Sequence, residues 1–307
     1  MGIQRVTQRA LVTRVLNNIA DHQKNILSLQ DQLATGYKIN RPSEDPLAAR
    51  RAIDGRLEMA KLEQYLSNIS TVGPTMTESG TSLLSATDII QRSIELTLQG
   101  ASETNDQDQR DVIAEEINQL LESMLTEANH QTNGRYVFGG TRTTAPPFEE
   151  TRDANGDITA VTYVGNDEAI EVEINEGVFV AINATGEDAF LSTSATSVDI
   201  LGTLIQTRDD LLAGDVDALT ARLDEMYMAQ DQLLGAASKL GAAENRLSRT
   251  DSNIQDILIQ LEQVISDNID ADFAEITVGL NAESNAFQAS LSAAANVIQP
   301  SLLDFLG

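Results

Sequence analysis

Two apolar seams at heptad spacing, one toward each end of the chain, restrict what this sequence can fold into more than any other feature. Near the N-terminus Val12, Val15, Ile19, His22, Ile26, Leu29 and Leu33 follow alternating steps of three and four, the spacing that keeps one helix face against a partner helix. The steps recur at Leu240, Leu247, Ile254, Ile257, Leu261 and Val264, with Thr250 as a polar interruption, and Phe273, Ile276, Leu280 and Phe287 carry the pattern on. A helix with one lone seam is marginal in water. Two distant seams are buried most simply by packing the N-terminal helix against the C-terminal one. The expected fold is therefore mainly α, an elongated rod of long coiled-coil helices formed by both chain ends. Aromatic residues make up only 4% of the chain and Trp is absent, which suits a thin bundle better than a thick core.

Punctuation along the chain divides this pattern. Gly36 is a plausible stop for the first helix, and Arg41-Pro42-Ser43-Glu44-Asp45-Pro46 turns the chain. Asp45 can cap a second helix that Pro46 opens, because Pro lacks the N–H that is unpaired at a first helical turn anyway. Ala49, Ile53, Leu57 and Ala60 line one face of it, and Leu62, Leu66 and Ile69 lead to Gly73-Pro74, where a new helical stretch from Met76 to Gln99 is expected to begin. Another runs from Arg110 to Ala128, with Ile113, Ile117, Leu120 and Met124 at seam spacing. Between Arg135 and Phe190 the period changes. Ile158, Val161, Tyr163, Ile170, Val172, Ile174, Val178 and Val180 sit in β-branched runs punctuated by Asn155-Gly156, Gly165-Asn166 and Glu176-Gly177, the signature of a small β-rich insert. Helical pattern resumes near Ile200, and Pro300 is expected to end it before an apolar tail of Leu302, Leu303, Phe305 and Leu306. The implied organisation is an assembly helix at 1–45, a helical first half at 46–134, a β-rich part at 135–199, a helical second half at 200–268 and a second assembly helix at 269–307.

The formal net charge of −27 repels phosphate backbones and anionic lipid, so neither nucleic acid nor membrane is an expected partner. Charge is also divided along the chain. Arg5, Arg9, Arg14, Lys24, Lys38, Arg41, Arg50, Arg51 and Arg56 outnumber the acids of the first segment, whereas Asp251, Asp256, Glu262, Asp267, Asp270, Asp272, Glu275, Glu283 and Asp304 follow Arg249 with no Lys or Arg among them. The basic segment is expected to pair with the acidic C-terminal helix or with adjacent subunits.

No catalytic or cofactor constellation is present in the sequence, so no enzyme activity, metal or cofactor is expected. Cysteine is absent, which removes disulfides, thiolate catalysis and Cys-based metal sites. His22 and His130 are isolated from each other, and His22 falls on a seam. Asp153, Asn155 and Asp157 alternate as calcium ligands can, but Gly156 interrupts them and no closing Glu follows, so a β-turn is the expectation. Asn133-Gly134 and Gly139-Gly140 lack the Lys-Ser/Thr of a phosphate cradle, and Glu115-Glu116, Glu149-Glu150 and Asp209-Asp210 read as a solvated face. Residues 1–16 do not read as a cleavable secretory signal, and no apolar run approaches the ~20 residues of a membrane-spanning helix.

Leu33-Ala34-Thr35-Gly36-Tyr37-Lys38-Ile39-Asn40, followed by Ser43-Glu44-Asp45-Pro46-Leu47-Ala48-Ala49, closely resembles the N-terminal box of the bacterial flagellin superfamily. The stretch from Leu280 to Ala295 is similar to the terminal helix of that family. Asn133-Gly134-Arg135-Tyr136-Val137-Phe138-Gly139-Gly140, Tyr163-Val164-Gly165-Asn166 and Gln299-Pro300-Ser301-Leu302-Leu303-Asp304-Phe305-Leu306 resemble the members that form the junction between hook and filament. The resemblance implies a non-enzymatic, secreted subunit of the flagellum, exported through the flagellar type III channel. It implies as partners neighbouring copies, hook-associated protein 1 on the hook side, flagellin on the filament side and an export chaperone on the C-terminal helix. Filament flagellin and a flagellin-like surface adhesin are the alternatives. The expected assembly interface comprises Val12, Val15, Ile19, Ile26, Leu29, Leu33, Ile254, Ile257, Leu261, Val264, Phe287, Leu291, Leu302, Leu303, Phe305 and Leu306.

Overall fold

A computed structural model describes residues 2–191 and 197–306, and the side chains of 10–191 and 197–295 within them. The chain is mainly α, with long helices from both ends and a small β region between them. It divides into two compact units, Met1–Lys61 with Asp256–Gly307, and Leu62–Gln255.

The first unit follows local rules closely. Helix α1 spans Gly2–Thr35 and stops at Gly36, whose φ of +76° only glycine adopts without strain. The chain then pairs with the far end of the sequence: the Lys38 amide donates to the Ile269 carbonyl at 2.7 Å and the Ala271 amide to the Gly36 carbonyl at 3.0 Å. Asp45 caps helix α2, Pro46–Gly100, its Oδ1 accepting from the Leu47 and Ala48 amides at 3.0 Å each.

Helix α2 does not break at Gly73-Pro74, contrary to the sequence expectation. Pro74 removes one amide donor, but its ring and the Ser70 carbonyl left without that donor lie on exposed turns that water reaches. Val72 and Met76 on either side are buried, and their packing keeps the helix continuous through the defect. Helix α3, Gln107–Ala128, begins at a reciprocal capping box between Asp106 and Gln109 and buries Ile113, Ile117, Leu121 and Met124.

The β region begins at Gln131 rather than Arg135, and forms three separate antiparallel pairs rather than one sheet. They are β1 (Gln131–Thr132) with β2 (Arg135–Tyr136), β3 (Phe148–Arg152) with β4 (Ile158–Tyr163), and β5 (Glu171–Asn175) with β6 (Val178–Ala181). A two-stranded pair is marginal alone. Phe148 anchors the β3–β4 pair in an aromatic cluster in which Phe138 and Phe148 each meet Phe190 edge-on, at 5.2 and 5.6 Å; Phe190 closes the short helix α4, Gly186–Phe190.

Helix α5, Ile200–Ala213, ends at Gly214 with φ +72°, so the second helical half is interrupted where a continuous pattern was expected. Helix α6 follows over Val216–Ile269 and α7 over Phe273–Leu306. Between them Asp272 caps α7 through the Ala274 and Glu275 amides. Pro300 does not end α7, which runs on to Leu306.

Candidate assembly interface

The two units differ in how they bury apolar surface. In the second, Met76, Leu83, Ile117, Leu121, Met226 and Leu233 are wholly buried. In the first, no described side chain of α1 is buried. Val12, Val15, Ile19, His22, Ile26 and Leu29 are half-buried, so the whole seam turns one way, and only Leu33 at its end slips to 37% exposure. A 34-residue helix held on one half-covered stripe depends on further contacts for full order.

Its partner is α7, not the seam on α6. Gly279 lies beside Leu29, and Glu283 lies beside His22, so the helices run antiparallel. The α7 stripe is Ile276, Leu280, Glu283, Phe287, Ser290 and Ala294, again in steps of four and three. Three polar side chains meet at this stripe: His22 Nδ1 is 2.7 Å from Glu283 Oε2, and Asn25 Nδ2 donates to Glu283 Oε1 at 3.1 Å. The hydrogen bond with His22, and then that from Asn25, hold the Glu283 carboxyl below the usual carboxylate range. Glu283 could have been found from sequence, since it falls in step between Leu280 and Phe287.

The α6 positions divide. Ile254 is buried and Leu261 half-buried, whereas Ile257 and Val264 are 43% and 52% exposed. Ile265 and Ile269 turn inward instead, against Ala52 of α2, where Gly55 leaves room for the Ile265 side chain. A straight helix repeats at 3.6 residues rather than 3.5, so the inward face drifts from Leu261 to Ile265. Phe287 is half-buried and Leu291 exposed. The side chains of Leu302, Leu303, Phe305 and Leu306 lie outside those described.

Among the described residues the opposite charges of the two chain ends stay largely unpaired within the molecule. Among the described residues, His22–Glu283 is the single contact between a basic residue of the first 61 and an acid beyond Arg249. Arg50 and Lys61 find only Asp54 and Glu58 on their own helix.

The other chemical candidates resolve into structure. Asp153 Oδ1 accepts from the Asp157 and Asn155 amides at 2.9 and 2.8 Å; chiefly the first of these bonds holds its carboxyl below the usual range. Asp157 Oδ1 accepts from Asn118 at 3.0 Å, so the Asp153–Asp157 stretch is a turn. No group of three metal-ligating side chains occurs among the described residues, and no described helix is long and apolar enough to cross a membrane.

Comparison with known proteins accounts for both ends. Residues 6–143 match the bacterial flagellin N-terminal helical region, and residues 223–306 match the bacterial flagellin C-terminal helical region. The chain belongs to the bacterial flagellin superfamily. Within the superfamily it is similar to flagellar hook-associated protein 3 of Escherichia coli, with 25% identity over 94% of this chain and 95% of that protein. It is also similar to flagellin FlaB2 of Treponema pallidum, with 26% identity over 75% of this chain and 79% of the relative. The solved flagellar junction protein of Legionella pneumophila shares the fold, with a TM-score of 0.60 at 15% identity, over 72% of this chain and all of that one. The flagellin helices of the family correspond here to most of α1 with the whole of α2 and α3, and to most of α6 with α7.

Proposed function

We propose that this chain is a structural subunit of the flagellum that forms the junction ring between hook and filament and carries out no chemistry. The observation that carries this reading is the similarity to hook-associated protein 3 along nearly the whole of both chains, where similarity to a filament flagellin covers three quarters of this one. The half-covered seam of α1 supports it, because such a helix gains its remaining contacts on assembly. On this reading residues 1–45 and 269–307 join neighbouring copies, 46–134 and 200–268 form the connecting helical part, and 135–199 face outward. The subunit is secreted, stands outside the cell between hook-associated protein 1 and flagellin, and is carried to export by a chaperone on α7.

Immunogold labelling of intact cells with an antibody against residues 135–199 tests this. Label confined to the hook-proximal end of each filament is the expected result. Label along the whole length would make the chain a filament flagellin, and label on the cell surface alone would make it an adhesin.

A further inference from the structure

The unpaired charges of the first unit are arranged in a matching pattern on two helices. On α2, Arg50, Ile53 and Arg56 are spaced i, i+3, i+6; on α6, Asp256, Ile259 and Glu262 repeat the same spacing with opposite charge. At a rise of 1.5 Å per residue the two charges of each triplet stand about 9 Å apart along their helix. All six residues are exposed, with Ile53 at 53% and Ile259 at 65%. Arg50 has only Asp54 at 3.8 Å, both side chains open to water, and Arg56 sits over the Tyr37 ring at 5.9 Å with no carboxylate partner. Among the described residues neither Asp256 nor Glu262 has a polar partner.

Among the described residues no ion pair joins the two triplets within one chain. Helices α2 and α6 meet through Ala52, Gly55 and Ile265; Arg50 and Asp256 lie on the far side of their helices from that contact, and Ile53 and Arg56 open beside it with Ala52 and Ile269. Two copies meeting through the same face would set like charges together. Only a heterologous contact, the α2 face of one copy on the α6 face of the next, places each guanidinium opposite a carboxylate and one isoleucine on the other.

We propose that Arg50, Ile53 and Arg56 of one copy dock on Asp256, Ile259 and Glu262 of a second copy of this chain. This rests on the assembly reading above and adds to the contacts of the chain ends a second contact between copies, in the connecting helical part. A contact of this kind propagates from copy to copy, as a ring requires.

The chain has no cysteine, so Ile53→Cys with Ile259→Cys introduces the only thiols. The double variant is expressed as the sole copy, and isolated flagella are oxidised and run on a denaturing gel. A ladder of multimers is expected from the double variant and monomers from each single variant. Dimers from Ile53→Cys alone, or only monomers from a double variant present in the flagella, would overturn the proposal. Arg50→Glu with Arg56→Glu, and Asp256→Lys with Glu262→Lys, should each abolish incorporation while the purified chains keep wild-type circular dichroism. Co-expression of the two should restore it, because each reversed face then meets the other. Wild-type incorporation of either variant alone would overturn the proposal too. The gold label reads the location independently: a ladder from chains labelled along the whole filament would keep this interface and refute the junction reading.

Discussion

Arg208 offers a measurable test of what holds the second unit together. Its side chain is 8% exposed, and it donates through Nη1 to Asn118 Oδ1 at 3.0 Å and to the Ile158 carbonyl at 2.8 Å. Nε and Nη2 reach Asp209 Oδ1 at 3.0 and 2.8 Å. One guanidinium thereby joins α5, α3 and β4. Arg208→Leu keeps much of the aliphatic bulk and removes every donor. Asp209 is 58% exposed and rehydrates, so its loss adds little. The Ile158 carbonyl and the Asn118 carboxamide stay buried, and each acceptor left without a donor costs about 1–3 kcal/mol. The combined loss of about 2–6 kcal/mol, at about 2–4 °C per kcal/mol for a unit of this size, lowers the thermal midpoint by about 10 °C. Far-UV circular dichroism of the purified chain reads this. In a double-mutant cycle, Asn118→Leu with Arg208→Leu should cost less than the sum of the two by at least about 0.5 kcal/mol. A midpoint unchanged to within about 1 °C, or strictly additive losses, would refute the clamp.

The α1/α7 contact should weaken in acid. Because the Glu283 carboxyl is held below its ordinary value in the fold, its contribution is present above the unfolded value near about 4.3 and is lost as the pH falls through the lower folded one. Amide exchange across residues 19–29, corrected for intrinsic rate, should show protection falling in that window, and Glu283→Gln should flatten the fall; identical profiles for the two would remove Glu283 from the contact. At Gly140, φ is +64° and an added Cβ would strike Asn166, which Thr141 and Tyr163 hold in place. Gly140→Ala combines a left-handed backbone penalty of about 1–2 kcal/mol with an overpacking cost of about 1–3 kcal/mol. A urea midpoint equal to that of the wild type would count against that geometry.

Much of the first unit was legible because its determinants are local. The seam from Val12 to Leu29 turns inward as its spacing requires, Gly36 takes the left-handed conformation at the helix end, and Asp45 caps the helix that Pro46 opens. The hairpin turns at Gly156 and Gly177 also carry positive φ, at +97° and +68°. Strand β3 was missed because Phe148-Glu149-Glu150-Thr151-Arg152 has one apolar residue and no alternation. Its backbone finds β4 regardless, anchored by Phe148 in the aromatic cluster.

By itself the sequence determined the helix periods, the Asp45 cap, the ends of α1 at Gly36 and of α3 at Ala128, the place of the β insert and the division of charge between the chain ends. These follow from sterics and hydrogen bonding within a few residues, or from composition. Only the tertiary structure decided that α2 continues through Pro74, that α1 pairs with α7, that Ile265 rather than Val264 turns inward on α6, and that His22–Glu283 alone joins the opposite charges of the two ends among the described residues. Each of those outcomes depends on which distant surface a residue meets, and burial against a partner far along the chain overrides a local preference worth about 1–3 kcal/mol.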